Sequence, residues 1–485
     1  MIKIMRRKFI ELVPIPLVLI LILALLKGIL WSIIIPPFQT PDEPGHFSYV
    51  QYLAEQKGLP VRGNNIDNSF SPELIQFYDF AKTEDIINNK NALFMIDSKQ
   101  EKNTLSRIGT GSNYITSYPP LYYWLASIFY KFFDNLSIEY RFYSVRLFSV
   151  LLSLITVWGS YYIGKKIVPS NVLFPITISS ITLLQPMYSM VSASVTNDTL
   201  MISISVLLLC WLLSCLDELE KITTSKVLLG GVLMGLGLLV KAQILYVSLF
   251  CGAILLLFLL LKKIELKRIF SLVGILLIPV VVLYGWWAVF SQKHYQSVFG
   301  VMGFKPIGFN AHGKLTGYLH EIFPSVSIGL GRIYNIWVRW VWATFGWLNI
   351  TFTNDKIYKI IFILILLSSI GVIISFIRYF VLKHKINSVK IHYVFILCLF
   401  WLGNIVFLYM VEFVYYRSSL DTMLQGRYIF TALVPIVVLL VFGLQSLIKR
   451  RYHNVIYIIS VLSILVLHIC SMLLLLKRYY GVMIS

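Results

Sequence analysis

The sequence is poor in charged residues. Lys, Arg, Asp and Glu make up 13% of its 485 residues, and acidic side chains are the scarcer kind, with 22 against 42 basic ones. In soluble domains about a quarter of the residues are charged. Since 58% of the residues are hydrophobic and the mean hydropathy is +0.78, the composition excludes a soluble globular protein and indicates a membrane protein.

Several chemistry-bearing motifs are also missing from the sequence. It contains no phosphate-binding loop, no His-Glu-x-x-His and no glycine-rich dinucleotide fingerprint, so ATP-driven, zinc-protease and redox functions have no support. No internal repeat is visible. The cysteines lie in or beside apolar segments without disulfide or metal-ligand spacing, and we interpret them as small core residues: Cys210, Cys215, Cys251, Cys398 and Cys470.

Long apolar stretches dominate what the sequence does contain. They predict an all-α polytopic membrane protein with about eleven transmembrane helices, near residues 10–35, 144–163, 171–191, 197–216, 227–241, 243–261, 269–290, 357–377, 391–411, 427–447 and 455–476. We expect a single membrane domain over residues 1–485. The first stretch follows a basic start as signal peptides do, but it is too long and lacks a cleavage site, which indicates a retained helix.

Basic clusters occupy alternate connections between the predicted helices. By the positive-inside rule, these connections and the N-terminus are cytoplasmic: Lys165-Lys166, Lys221 with Lys226, Lys262–Arg268, Arg378–Lys390 and Lys449–Arg451. The net charge of +20 therefore reflects topology, and no nucleic-acid partner is expected. Residues 36–143, a large first loop, and residues 291–355 are predicted to be extracytoplasmic in a multi-pass protein of the cell membrane. Within the first loop, residues 118–133 are apolar and aromatic but too short to span, which predicts an amphipathic interfacial helix.

Two adjacent carboxylates, Asp42 and Glu43, follow the first predicted helix and lie between Pro41 and Pro44. The prolines restrict the backbone on both sides. A partly buried carboxylate at the membrane boundary can act as a general base toward a hydroxyl group, because burial raises its pKa. The pattern does not decide which of the two is the base, and an ordinary solvated acidic turn is the alternative.

The order of several motifs resembles the GT-C class of integral membrane glycosyltransferases. After the first helix comes Pro-x-x-x-x-Pro-Asp-Glu-Pro-x-His, followed by a long outer loop, Tyr-Pro-Pro-Leu-Tyr-Tyr and a multi-span bundle. The matching positions cover most of the chain: residues 36–46, 118–123, Asn197-Asp198, 342–347 and 425–428. Within the class, the chain is most similar to a bacterial family catalogued as a membrane domain of unknown function.

This resemblance implies a GT-C-like bundle and a transfer reaction on the outer face of the cytoplasmic membrane. Such enzymes take a sugar from a polyprenyl-phosphate carrier and attach it to a cell-surface glycan, lipid or protein. It implies that Asp42 or Glu43 is catalytic and that the interfacial helix from Tyr118 forms part of the roof of the site. The class admits a divalent metal, but the sequence clusters too few carboxylates to assign one, and no cofactor is predicted.

A lipid-linked phosphate also requires cations. Arg427 is the leading candidate, since a guanidinium at a helix mouth is costly unless paired and its fork suits phosphate. The alternative is an interfacial anchor that extends to water. Lys241 lies at another predicted outer helix mouth and is the second candidate. Arg141 and Arg146 flank the second predicted helix, and we interpret them as anchors.

Four further residues are candidate substrate-binding groups. His46 is placed to orient a carboxylate or touch the acceptor. Asp198 could hydrogen-bond a sugar or simply cap a helix, and Trp347 could stack on a sugar or belong to an interfacial aromatic belt. Gln425 is included because it opens the motif that contains Arg427.

A transporter or flippase of lipid-linked sugars is the main alternative function. It would show ionisable residues deep within its helices and some repeat symmetry. The predicted helix interiors are almost free of ionisable groups, which favours the enzyme. The expected partners are the lipid-linked donor, the surface acceptor and membrane lipids.

Overall fold

The described part of the chain is predominantly helical. The computed structural model describes residues 14–56, 58–62, 69–94, 105–300, 314–383, 389–419 and 422–482. Within them one antiparallel ladder occurs, in which Thr344–Phe345 (β1) pairs with Ile350–Thr351 (β2), with Thr344 opposite Thr351. The predicted all-α polytopic class is confirmed.

The α-helices follow one another with short connections. In chain order they are Ile15–Ile34 (α1), Glu43–Glu55 (α2), Pro72–Phe80 (α3), Thr83–Asn88 (α4), Leu121–Phe132 (α5), Ile138–Ile167 (α6), Leu173–Leu184 (α7), Pro186–Ser192 (α8), Asp198–Asp217 (α9), Thr224–Leu238 (α10), Ile244–Leu261 (α11), Leu266–Tyr295 (α12), Leu315–Ile322 (α13), Val326–Tyr334 (α14), Trp340–Trp342 (α15), Lys356–Phe376 (α16), Ile391–Ser419 (α17), Leu433–Ser446 (α18) and His453–Tyr480 (α19). Short 3₁₀ turns lie at Tyr114–Ser117, Leu219–Lys221, Gly426–Ala432 and Arg450–Tyr452, and π-helical turns at Asn335–Arg339 and Ile377–Val381.

Nine helical stretches of the described chain have the length and hydropathy to cross a membrane. Two shorter apolar helices, α7 and α10, occupy the remaining predicted positions, so each predicted stretch is helical. The third, predicted as one helix over 171–191, is broken at Gln185, because Pro186 has no N–H to continue it; the Gln185 side chain accepts from the Tyr188 N–H and caps α8. The tenth begins as a 3₁₀ turn.

Hydrogen bonds connect the ends of the helices on two opposite faces of the bundle. On one face, Asp217 accepts from Lys166 at 2.5 Å and from Lys390 at 2.8 Å, which joins connections predicted to share a side. On the other face, Arg478 at the end of α19 donates to the carbonyls of Ile86 and Ala92 beside α4. That arginine is thus bound by the first loop.

Close packing holds the helices of the bundle together. A Cβ on Gly371 of α16 would lie 1.9 Å from the carbonyl oxygen of Gly443 in α18, so glycine permits the two backbones to touch. The largest cluster of buried side chains extends from Trp31 to Tyr479. Helix α5 buries Tyr122 and exposes apolar side chains on its other side, the division an interfacial helix needs.

Candidate active site

The candidate site begins at a tight turn between α1 and α2. Pro36 and Pro37 end the helical run of α1. Phe38 and Asp42 then take positive φ angles of 64° and 67°, which non-glycine residues rarely adopt. Such backbone persists only where the surroundings hold it, and it is concentrated at functional sites. Asp42 immediately precedes α2, and Glu43 is its first residue.

Glu43 is fully buried and bonded at both carboxylate oxygens. Arg146 pairs with it through two hydrogen bonds, Nε to Oε1 at 2.8 Å and Nη2 to Oε2 at 2.7 Å. The backbone N–H groups of Phe38 and Val195 also donate to it, at 3.0 and 2.9 Å. A carboxylate so occupied is poorly placed to take a proton from a substrate, and we assign Glu43 to holding the turn.

Arg146 ties the whole turn together. Besides Glu43, its guanidinium donates to the carbonyls of Ser32, Ile35 and Pro36 at 2.6–3.0 Å. The interpretation of Arg141 and Arg146 as interfacial anchors is wrong. Both are fully buried, and Arg141 pairs with Glu73, because their helix begins earlier than predicted and packs against the first loop.

Asp42 points the other way, toward Arg427. Arg427 Nη2 lies 2.7 Å from Asp42 Oδ2, and the aspartate side chain keeps 32% of its exposure. Burial and the nearby negative charge of Asp42 raise the pKa of the Tyr114 hydroxyl. Burial raises the pKa of Asp42, but the positive charges led by Arg427 outweigh burial and lower the pKa below its usual range. Asp42 is therefore ionised, accessible and held beside a cation.

A second ion pair lies close by. Lys241 Nζ is 2.6 Å from Asp198 Oδ1, and the ammonium sits over the rings of Tyr118 and Tyr428 at 5.3 and 5.5 Å. Asp198 is the first residue of α9, where the helix N-terminus favours a negative charge. The predicted residues Asp198, Lys241 and Tyr118 are thus brought together with Asp42 and Arg427.

His46 is a buried, neutral member of the same cluster. Its Nδ1 is 2.8 Å from the Tyr123 hydroxyl, and its ring is parallel to Tyr118 and Tyr123. Burial lowers its pKa to about 4, although Asp42 and Asp198 act to raise it. At neutral pH His46 can therefore exchange hydrogen bonds but adds no positive charge.

Two of the predicted site residues, Trp347 and Gln425, lie at the edge of this cluster. Trp347 Nε1 donates to the Phe38 carbonyl at 3.1 Å, so it braces the turn. Gln425 lines a separate cavity, and its Oε1 has no hydrogen-bond partner in the described part of the chain. Gly426 separates Gln425 from Arg427, where a Cβ would lie 2.6 Å from the Trp340 backbone.

A small groove of about 70 Å³ opens beside Lys241. Tyr118, Tyr428 and Lys241 form its polar end, and the rest is mainly apolar, including Phe299, Phe407 and Leu408. Arg427 Nε is buried and lacks a hydrogen-bond partner among the described residues. The site thus offers an unused guanidinium donor and an ammonium near an apolar channel.

Neither carboxylate of the site stands free for a metal ion, since Asp42 and Asp198 each pair with a cation of the chain. Across the described ranges no three His, Cys, Asp or Glu side chains form a cluster that could hold a metal. The expectation that no metal is assignable remains a prediction.

Sequence reasoning missed the residues that hold the site. Arg146 carried a usable signal, since a charge inside a predicted apolar helix must be paired, but its partner could not be named. Tyr114 carried none, and Tyr123 entered only as the last residue of the Tyr-Pro-Pro-Leu-Tyr-Tyr motif. Tyr428 follows Arg427 directly and was quoted only as part of a motif.

Comparisons with known proteins give one family and several distant structures. The profile of a family described as a predicted membrane protein (DUF2142) matches residues 25–440. The oligosaccharyltransferase AglB of Archaeoglobus fulgidus, in complex with an inhibitory peptide and a dolichol-phosphate, aligns with 94% of this chain at 12% identity and a TM-score of 0.45. ArnT of Cupriavidus metallidurans, bound to undecaprenyl phosphate, aligns with 83% of it at 14% identity and 0.36. The chain covers 56% and 59% of those two proteins. No curated protein matches.

Proposed function

We propose that this chain, which belongs to the DUF2142 family of predicted membrane proteins, is a membrane glycosyltransferase that uses a polyprenyl-phosphate-linked sugar. The observation that carries the proposal is the pairing of Asp42 with Arg427 at 2.7 Å, in a turn at the end of a membrane helix. An accessible carboxylate and a buried guanidinium with a spare donor are the two groups that the reaction needs.

Each group has a defined part in the transfer. Asp42 accepts the proton of an acceptor hydroxyl, whose oxygen attacks the anomeric carbon of the donor sugar. The bond from that carbon to the phosphate oxygen breaks, a glycosidic bond forms, and the lipid phosphate leaves with the electron pair. Arg427 and Lys241 stabilise the charge that grows on the leaving phosphate.

Donor binding would also prime the base. In the resting protein Arg427 lowers the pKa of Asp42 and so weakens it as a proton acceptor. A donor phosphate competes for the same guanidinium, because a fork of N–H groups suits phosphate as well as carboxylate. Once Arg427 turns to the phosphate, the pKa of Asp42 rises. A carboxylate with a higher pKa is a stronger base toward the acceptor hydroxyl.

The apolar groove beside Lys241 suits the lipid part of the donor. Its aromatic and aliphatic walls can contact the first carbons of an isoprenoid chain, while Lys241 meets the phosphate. A sugar beyond the phosphate would then project toward Asp42. We place the reaction on the outer face of the cytoplasmic membrane, with a surface glycan, lipid or protein as acceptor.

Membrane orientation can be tested with two matched cysteine variants. Lys90 lies beside the segment bound by Arg478, and Lys267 lies on the opposite face; both are exposed. In intact cells we expect an impermeant thiol reagent to label Lys90→Cys and not Lys267→Cys. The reverse pattern would put the site in the cytoplasm and contradict an extracytoplasmic transferase.

One observation favours the transporter alternative. The expectation that helix interiors are almost free of ionisable groups is wrong, since Lys27 lies within α1 and donates to Ser189 at 3.1 Å, and α6 buries Arg146. Glu43 neutralises the charge of Arg146, whereas Lys27 is a cation that a transport pathway could use. The two functions are separable in a single assay.

Variants of Arg427 test the enzymatic function. Replacing it removes a charge-assisted contact of about 1.5–3 kcal/mol, so Arg427→Ala should weaken use of the lipid-linked donor about tenfold or more. Arg427→Lys should recover only part, because a point charge replaces a fork. The measurement is sugar transfer by purified protein in detergent, with a polyprenyl-phosphate sugar and an acceptor extract.

No sealed compartment exists in detergent, so vectorial transport cannot register there. Arg451→Ala, on the opposite face, is the control and should leave transfer unchanged. If the wild type transfers no sugar but flips labelled lipid in proteoliposomes, the transporter function replaces the enzyme.

A further inference from the structure

A second and larger cavity lies beside the segment that precedes Arg427. It measures about 350 Å³ and is bounded by α14, by the π-helical turn Asn335–Arg339, by α17 and by residues 422–425. Ligand pockets are commonly about 300–1,000 Å³, so a small polar molecule would fit. π-helical turns occur frequently at functional sites.

The cavity wall mixes aromatic, polar and aliphatic groups. Its polar and aromatic members include Arg332, Asn335, Trp340, Tyr409, Glu412 and Gln425. Isoleucine, leucine and methionine side chains complete it. Hydroxyl-rich ligands with one apolar face need this combination, since ring C–H groups pack on aromatic rings and hydroxyls bond to amides and carboxylates.

Several of these groups are already oriented by the protein. The Tyr409 hydroxyl accepts from Trp337 Nε1 at 3.1 Å, which leaves its proton available. Glu412 is buried and accepts from the Tyr318 hydroxyl at 2.8 Å and from the Leu424 N–H at 3.1 Å. In contrast, the buried Oε1 of Gln425 has no partner in the described chain, and such an atom is costly unless a ligand satisfies it.

Other occupants fit less well. A lipid chain would leave the buried Gln425 Oε1 unsatisfied. A small anion would face Glu412, while the Arg332 guanidinium is engaged by the Glu321 carbonyl at 2.6 Å and by Thr422. A neutral, hydroxyl-rich molecule satisfies the acceptors without placing like charges together.

We propose that this cavity binds a saccharide unit of the acceptor. Gln425 lies two residues from Arg427, so an acceptor chain held here would be anchored beside the ion pair that performs transfer while a more distant sugar reaches Asp42. The assignment to the acceptor rests on the proposed transferase function, whereas saccharide binding itself does not. The substrate class is therefore an extended glycan or glycolipid whose terminal unit is modified.

Saturation-transfer NMR tests the binding with defined probes. The purified full chain is titrated with the methyl glycosides of a hexose, an N-acetylhexosamine, a deoxyhexose and a pentose. We expect at least one to bind saturably, and Gln425→Leu and Trp340→Leu to weaken it about three- to tenfold, as loss of a hydrogen bond or a ring contact predicts.

Trp401→Leu is the matched control, because Trp401 lines an apolar cavity of about 230 Å³ elsewhere in the bundle. It should bind like the wild type. Titrating Asp42→Asn separates the two proposals, since saccharide binding should survive there even if transfer does not. Absence of saturable binding by all four probes, binding as tight in Gln425→Leu as in the wild type, or an equal loss in Trp401→Leu would overturn the assignment.

Discussion

Asp42→Asn is expected to reduce sugar transfer about a hundredfold or more, the usual contribution of a general base. The amide is nearly the same size as the carboxylate, so the turn and its positive φ should be preserved. The low pKa of Asp42 means that the wild-type carboxylate stays charged as pH falls toward the ordinary aspartate value of about 3.9. The loss should therefore be present throughout the neutral range.

Three measurements distinguish loss of a base from loss of the fold. Transfer is assayed in detergent, donor-lipid binding is measured directly, and unfolding is followed in parallel. Binding should be unchanged or tighter in Asp42→Asn, because Arg427 no longer shares its charge with a carboxylate. Asp79→Asn, on the exposed side of α3, should behave as the wild type. Near-normal transfer by Asp42→Asn would show that the carboxylate is not the base.

Arg146→Met is expected to lower the free energy of unfolding by about 3–5 kcal/mol, since removing one partner leaves the buried Glu43 charge unpaired. Three carbonyls that end α1 lose a donor at the same time. Glu43→Gln should cost less, about 1–3 kcal/mol, because the amide still accepts hydrogen bonds. Detergent-titrated unfolding of purified protein measures both.

Arg107→Met is the matched control for this pair. Arg107 is one-third exposed and contacts Glu55 and Asp134 near the surface, so its loss should cost no more than about 1 kcal/mol. Equal destabilisation by Arg107→Met and Arg146→Met would contradict the role given to the buried pair. Full stability of Glu43→Gln with abolished transfer would return Glu43 to the reaction.

The helices could be predicted because each depends on its own segment. The length of the apolar stretches was enough to locate each predicted membrane helix. One error was the break before Pro186, a local signal that was overlooked. The other was the start of α6, because Arg146 was interpreted as the mark of a helix end. An arginine can lie in the interior of a helix when a residue of another segment pairs with its charge. Composition cannot reveal that partner.

The site was predictable as a set of residues but not as an arrangement. Asp42, Asp198, Lys241 and Arg427 could be named from motifs and helix ends, yet nothing local assigns Arg427 to Asp42 and Lys241 to Asp198. The choice between Asp42 and Glu43 likewise depends on a positive φ and on an arginine 103 positions away. Gln425 was predicted as a substrate-binding residue beside Arg427, whereas it lines a separate cavity.

The pairing of Asp42 with Arg427 has a consequence for biosynthesis. The two residues are 385 positions apart, and ribosomes add about 5–20 residues per second. Asp42 must therefore wait about 20–80 seconds for its partner to emerge. Arg146, which secures Glu43, appears much sooner. The turn can form early in synthesis, while its charge stays uncompensated until the chain is nearly finished, so the candidate site is among the last parts of the protein to mature.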